Sequence, residues 1–332
     1  MLAIQYQAYG GYQENRPVEL PVPRPTVGEV LLKMRSFGIN PLDNTFRSGE
    51  FYAATPENLP RVGGQTGVGV VVESHSPEFA LGERVFVSGK GFGLTADGTW
   101  REWLAIPAAG LWRVPDYLDD AHAAAFFAGA GYLTAYLSLT ELAQFKPGQA
   151  VLAPGVSGAV GMEGVQIARQ LGASLAISTA TSTPKAEQAR AAGYEHVIDL
   201  SKESLLDGVM RLTGGKGVDV VIDGVSGALT GQALGSLAFG GTLVVVGYAG
   251  GRKAEIDVTD LIWRAAHVHG FTLRSFRPDT LRAAQRACVD FVAAGELKPT
   301  VARVFPLAEA ADAVRYLIEG GPFGRVVMKT GE

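Results

Sequence analysis

Val151-Leu-Ala-Pro-Gly155-Val-Ser-Gly158-Ala-Val-Gly161 decides how this chain folds. The apolar residues Ala150–Ala153 read as a buried strand, and a helical period follows over Val165–Leu171. Glycines at 155, 158 and 161 lie between them. Lacking side chains, they let the backbone turn tightly and approach a diphosphate, while amides at the helix start face its negative charge. Position 156 is Val, so the motif is not a strict G-x-G-x-x-G. Alone it has two readings: a dinucleotide cradle made by Ser157, Gly158, Ala159, Val160 and Gly161, or small residues that only let helix and strand pack.

Context favours the cradle. Downstream, strands at Leu175–Ser178, Val197–Ile198, Val218–Ile222 and Thr242–Val246 alternate with helices at Pro184–Ala192, Ser201–Leu212 and Thr230–Leu237. The strands are continuous apolar runs, as in a parallel sheet covered on both faces. Such alternation predicts a doubly wound α/β domain, and the glycine turn follows the first strand of the series, where dinucleotides bind. Upstream, short β segments at Glu29–Arg35, Val68–Glu73, Arg84–Val87, Trp100–Ile106 and Leu111–Val114 predict a compact β domain. The tail reads helix Leu281–Ala294, strand Val301–Phe305, helix Leu307–Glu319 and strand Arg325–Met328. The simplest layout inserts an α/β domain, residues 125–270, into a β domain made of residues 1–124 and 271–332.

The strand after the turn bears on the cofactor. A site for NAD usually carries Asp or Glu there to accept the ribose hydroxyls. Leu175-Ala-Ile-Ser-Thr179-Ala-Thr-Ser182-Thr-Pro-Lys185 has no acid. Hydroxyls and a lysine can instead pair with a 2′-phosphate, so NADPH is favoured, with Thr179, Ser182 and Lys185 as contacts. The other reading of Lys185 is a solvated first-turn lysine. Val246-Gly247-Tyr248 ends a strand at the expected crevice edge, where its backbone would approach the nicotinamide; Phe271 follows similarly and offers its main chain.

Composition narrows the partners. The chain has 332 residues, a formal charge of −4 and 47% hydrophobic residues, which is globular and gives no basic field for nucleic acid or an anionic membrane. Cys288 is the one cysteine, so no internal disulfide or thiolate cluster can form, as suits a reducing cytoplasm. It reads as a small buried apolar residue of an amphipathic helix. Met1–Gly11 lacks the pattern of a signal peptide, and Ala121–Leu139 reads as a packed helix pair rather than a membrane span.

With these pieces in place the chain resembles the medium-chain dehydrogenase/reductases, in their zinc-free quinone oxidoreductase branch. The resemblance rests on Phe37-Gly-Ile-Asn40-Pro-Leu-Asp43 through Arg47-Ser-Gly49, Gly63-Gly-Gln65-Thr-Gly67-Val-Gly69 and Leu81-Gly-Glu-Arg84-Val85. It continues through Tyr132-Leu-Thr134-Ala-Tyr136, Lys146-Pro-Gly148, the glycine turn with Gln166 and Ala168, Gly214-Gly215, Gly240-Gly241 and Gly324-Arg325-Val-Val327. It implies a GroES-like β domain with an inserted doubly wound (Rossmann) domain, an active site in the cleft between them, and a homodimer.

The same resemblance implies roles. Asn40 orients nicotinamide ribose or substrate, Asp43 anchors that loop or relays a proton, and Tyr52 donates to the substrate oxygen. Read from the residues alone, Asn40 and Asp43 also suit helix caps. Thr134 lies near the nicotinamide, and Arg325 adds charge near the phosphate or stands exposed. Variable loops such as Glu50–Asn58 and Lys90–Gly98 line the substrate pocket. Departures are Gly158-Ala159-Val160-Gly161 at the phosphate turn, Gln65 in place of an acid, Phe51 where a tyrosine is usual, and Leu200 where some members have a tyrosine.

Zinc-dependent relatives carry a cysteine at the position of Asn40 and His-Glu at Gly64-Gln65; here neither exists. His267 and His269 could share one face of a strand, but no cysteine or close acid completes a site. Without a Lewis acid an isolated carbonyl is hard to reduce, whereas a quinone or α,β-unsaturated carbonyl accepts hydride into a delocalised oxyanion. The expectation is an NADPH-dependent, zinc-independent reductase of such small molecules. The alternatives are a cofactor-binding structural or regulatory protein with little catalysis, and an alcohol dehydrogenase.

Overall fold

The computed structural model describes residues 1–88, 91–127 and 131–331. The chain begins with β1 (Leu2–Tyr6), β2 (Arg16–Glu19), β3 (Glu29–Gly38), α1 (Pro41–Ser48), β4 (Arg61–Val62), β5 (Thr66–Ser74), β6 (Arg84–Ser88), β7 (Trp103–Pro107), β8 (Trp112–Arg113) and α2 (Asp120–Phe127). Next come α3 (Gly131–Leu137), β9 (Ala150–Leu152), α4 (Ala159–Gln170), β10 (Leu175–Ala180), α5 (Thr183–Ala191), β11 (His196–Asp199), α6 (Leu205–Thr213) and β12 (Val218–Asp223). The chain then forms α7 (Ala228–Gly235), β13 (Leu237–Val245), α8 (Val258–Trp263), β14 (His267–Gly270) and α9 (Pro278–Ala293). β15 (Val301–Pro306), α10 (Ala310–Glu319) and β16 (Arg325–Lys329) close it.

Internal contacts divide the chain into two units, Met1–Gly129 with Pro299–Glu332, and Ala130–Lys298. The sequence reading set the joins at 124/125 and 270/271. The later joins follow from packing. The apolar α2 buries Ala123 to Phe127 against β3, β5 and β16 of the first unit. α9 packs on α3 of the second, where Tyr136 and Phe291 face each other at 6.5 Å. Lys90 and residues 128–130, which entered the loop and helix-pair expectations, lie outside the described residues.

In the first unit, β15-β16-β3-β5-β6-β8 form one sheet path with β7 on β3, and β2-β1-β4 form a smaller sheet. Ile4, Leu32, Met34, Phe37, Val85 and Trp100 fill its core. This is the GroES-like β domain. β1, β2 and β4 were not among the strands read from the sequence, and β14 is the strand expected to carry His267 and His269. The second unit holds six parallel strands in the order β11-β10-β9-β12-β13-β14 among the described residues, with Leu152, Ile177, Ile198, Val221 and Leu243 in its core. This is the doubly wound Rossmann domain. Its chain order reverses between β9 and β12, which puts the binding crevice at their carboxyl ends.

Among the boundaries that differ from the sequence reading, two have clear local reasons. The helix expected from Ser201 begins at Leu205, because Ser201 turns back onto the Asp199 carboxylate and Ser204 becomes the cap. The helix expected over Thr230–Leu237 ends at Gly235, since Leu237 already pairs with Val218. Among the described residues no single helix is long and apolar enough to cross a membrane; α2 and α3 with its π turn reach that length only as a pair bent by 40°. Cys288 is buried, and burial pushes its thiol up to about 12, which suits a packing role.

Candidate active site

The glycine turn has the conformation its sequence asks for. Gly155 takes φ +82, a left-handed value that favours glycine. Its N–H donates to Thr179 Oγ1 at 3.0 Å, and Val156 N–H donates to the Thr179 carbonyl at 2.9 Å. Gly158, extended and exposed, precedes α4, so the amides of Ala159, Val160 and Gly161 form a first turn with no intrahelical acceptors. A Cβ at Gly161 would stand 2.2 Å from the Gly155 carbonyl, so the turn closes only on glycine. Ser157 is half-buried beside it. A strand end, a glycine turn and outward amides fit the diphosphate of a dinucleotide.

Two assignments change in three dimensions. Thr179 is only 2% exposed, and its hydroxyl braces the turn from behind rather than facing a ribose phosphate. The absence of an acid after β10 is also incomplete as a criterion. Asp199 at the end of β11 lies opposite Ala180 and accepts from Thr183 Oγ1 at 2.6 Å and Ser201 Oγ at 2.5 Å. Those hydroxyls hold its carboxyl below the usual range. Lys202 Nζ lies 3.9 Å from it. The neighbouring strand thus brings a carboxylate to the start of α5, where Ser182 is the N-cap residue and Lys185 sits half-buried in the first turn.

Across the switch point, Val246 and Gly247 donate their N–H groups to the Asp223 carbonyl at 2.9 and 3.3 Å. Tyr248 is exposed beyond them. Phe271 donates its N–H to the Val245 carbonyl at 2.9 Å, so a main-chain contact to a carboxamide falls to its carbonyl. Thr134 is buried on α3. Asp223 was not singled out from the sequence; the signal is an acid at the end of the wholly apolar run Val220-Val-Ile222.

In the first unit, Asn40 ends β3's connection and opens α1, which Pro41 starts and Gly49, at φ +79, stops. Asp43 Oδ2 accepts from Asn40 N at 2.8 Å, and its Oδ1 accepts from Gln65 Nε2 at 3.1 Å. Burial pushes the Asp43 carboxyl up to about 7, against the opposing pull of those hydrogen bonds. Arg325 corrects its reading. It is buried, and its Nη1 donates to Asn40 Oδ1 at 3.3 Å, 285 residues away in sequence. Asn40 is 5% exposed, and its Nδ2 is a buried donor without a protein acceptor. Tyr52, by contrast, is 79% exposed with its ring on Phe51, apart from the buried Asn40, Asp43 and Arg325 and the half-buried Gln65.

Among the described residues no three His, Cys, Asp or Glu side chains converge as metal ligands. His267 and His269 lie on the outer strand β14. An arginine-bound amide at position 40 and Gly64-Gln65 do not suit a zinc ion.

Comparisons with known proteins agree with this architecture. A family described as "Alcohol dehydrogenase GroES-like domain" matches residues 26–116, and one described as "Zinc-binding dehydrogenase" matches residues 159–290. A 2-haloacrylate reductase from a Burkholderia species is 32% identical, over 93% of both chains. A solved NAD-dependent alcohol dehydrogenase has a TM-score of 0.88 at 29% identity, covering 100% of both chains. The Escherichia coli quinone oxidoreductase, solved with NADPH, has a TM-score of 0.85 at 27% identity, covering 99% of this chain and 100% of that one. The chain belongs to the medium-chain dehydrogenase/reductase superfamily, in its quinone oxidoreductase branch. It is therefore an oxidoreductase of that family, with the alternating sheet and glycine turn of a nicotinamide-dependent enzyme.

Proposed function

We propose that the chain is an NADPH-dependent, zinc-independent reductase of quinones or α,β-unsaturated carbonyls. The observation that carries this reading is the buried Asn40 Nδ2 donor, which lacks a protein acceptor at the position where zinc-dependent relatives hold a metal thiolate. Leaving such a donor unmade costs about 1–3 kcal/mol, and a ribose hydroxyl or substrate oxygen removes the cost. When bound, the reduced nicotinamide would supply hydride, and conjugated acceptors take it without a Lewis acid because the charge spreads onto oxygen. Asn40 then orients ribose or stabilises that oxygen, while Arg325 fixes the amide by occupying Oδ1. Asp43 holds the loop through Asn40 N and retains a proton below about pH 7. Ser157, Gly158, Ala159, Val160 and Gly161 receive the diphosphate, Ser182 and Lys185 the 2′-phosphate. Val246, Gly247, Tyr248, Phe271 and Thr134 bound the nicotinamide half. Tyr52 donates to substrates that reach the surface of its loop.

Asp199 supports a second reading, use of NADH, because a carboxylate fixed beside Thr183 repels a 2′-phosphate. The experiment is a turnover panel of 1,4-benzoquinone, juglone and a simple enone with NADPH and with NADH. Faster turnover with NADPH supports the first reading, and faster turnover with NADH the second. Binding without turnover on every acceptor would leave a cofactor-binding structural protein. Lys185→Glu is expected to weaken NADPH by about tenfold to a hundredfold, the worth of one charge-assisted hydrogen bond, and NADH far less. Equal losses would place the phosphate elsewhere.

The protein is further proposed to be a homodimer. β14 is an outer strand among the described residues, and Val268 on it, with Ile262 and Trp263 (74% exposed) at the end of α8, are large apolar groups in water. Two such edges pair antiparallel about a two-fold axis. Sedimentation equilibrium is expected to give twice the chain mass, and Trp263→Glu with Val268→Glu to give the chain mass; an unchanged mass in the variant would refute this interface.

A further inference from the structure

The loop after β12 and the loop after β13 are joined by main-chain and side-chain hydrogen bonds. Asp223 is fully buried at the end of β12. Its Oδ1 accepts from Val225 N at 3.0 Å and Ser226 N at 2.8 Å, and its Oδ2 accepts from Thr230 Oγ1 at 2.8 Å. Its carbonyl accepts from Val246 and Gly247. Gly250 N donates to the Val225 carbonyl at 2.6 Å, and Ser226 bridges Gly251. Ser226 takes φ +58, an unusual value for a residue with a Cβ, and from there its hydroxyl donates to the Gly247 carbonyl at 2.6 Å. Gly247 lies so close that a Cβ on it would stand 2.7 Å from the Gly224 carbonyl. Gly224 in turn presses on Val160 of the glycine turn, where its Cβ would meet the side chain at 2.8 Å.

The placement of this clamp gives it a role. A doubly wound sheet has two mononucleotide halves on either side of the switch point. Lys185 and Ser182 follow β10 on one side; the clamped loops follow β12 and β13 on the other. We propose that Asp223 and Ser226 are positioning residues for hydride transfer: together they set the crevice wall, Gly224 to Gly227 with Val246 and Gly247, against which the nicotinamide half of the dinucleotide rests. This rests on the dinucleotide reading above. Neither side chain needs to touch the cofactor. A carboxylate saturated by three donors and a hydroxyl fixed to a carbonyl hold that wall rigid, and a shift of about 1 Å in a reacting group can cost about a hundredfold in rate.

Ser226→Gly tests this without threatening the fold, because glycine accepts the positive φ and only the bond to Gly247 is lost. ADP-ribose 2′-phosphate, which lacks only the nicotinamide, separates the two halves. Ser226→Gly is expected to keep the wild-type melting temperature and affinity for this probe, while kcat falls by about tenfold to a hundredfold. Asp223→Asn, which turns one acceptor into a donor, is expected to lower kcat further and the melting temperature as well. Wild-type kcat and NADPH affinity in Ser226→Gly would overturn the proposal, as would equal weakening of NADPH and the probe. A wild-type protein that binds neither NADPH nor NADH would instead remove the dinucleotide reading itself, and this proposal with it.

Discussion

Gly161→Val is expected to abolish NADPH binding, with affinity down by at least about a hundredfold, and to lower stability by about 1–3 kcal/mol, the usual cost of overpacking. The reason is distance. Any Cβ at 161 would stand 2.2 Å from the Gly155 carbonyl oxygen and 2.6 Å from that of Pro154. Both are backbone atoms that cannot rotate aside. The turn cannot yield cheaply either, because Gly155 N and Val156 N are tied to Thr179. The first turn of α4 must therefore tilt, and its amides leave the diphosphate. Gly158→Ala provides the control. Its Cβ would lie 3.5 Å from the Gly155 carbonyl, an ordinary contact, and φ −90 suits any residue. That variant should melt like the wild type, so any loss of NADPH reports on the space a phosphate needs. Fluorescence titration and a thermal melt read both quantities. Wild-type affinity in Gly161→Val would mean that the turn is packing and nothing more.

Asp43→Asn is expected to remove a large pH dependence of stability. In the folded protein burial raises the carboxyl from 3.8 to about 7, whereas an unfolded chain restores the ordinary value. Between those values the folded state binds more protons than the unfolded state, so stability falls as pH rises from about 4 to about 7. Below that window the carboxyl is protonated in both states and costs nothing; above it the full cost of a buried charge is in place. The difference is on the order of 4 kcal/mol. Asparagine is neutral throughout and its Oδ1 still accepts from Asn40 N. Gln65 can turn its amide over to meet the new NH2. The variant should match the wild type near pH 4 and melt several degrees higher near pH 8. Parallel melting curves across this range would show that Asp43 carries no displaced charge.

Much of the fold is legible in the sequence. The apolar runs of β9, β10, β12 and β13 are periodic and local, and so is the glycine turn. The ends of elements were less legible where a side chain beyond the element redirects the backbone, as Asp199 does to Ser201. The candidate site was legible as residue types and only partly as roles. Asn40 and Asp43 do cap α1 through the Asn40 N–H, and the same two residues belong to a buried polar cluster. Thr179 offers a hydroxyl, but the direction of that hydroxyl depends on which face of β10 the turn crosses. Tyr52 follows from register alone, and its loop leaves it in water.

By itself, the sequence determined the parallel sheet, the place of the glycine turn and the lack of zinc ligands at positions 40, 64 and 65, because hydropathy period, missing Cβ atoms and missing donor atoms are properties of neighbouring residues. Only the tertiary structure decided that Arg325 grips Asn40, that Asp43 is buried enough to titrate near neutrality, that Asp199 stands beside α5 and that Asp223 clamps two loops. Those facts depend on desolvation and on hydrogen bonds between residues distant along the chain, and both arise only when the strands take their places in the sheets.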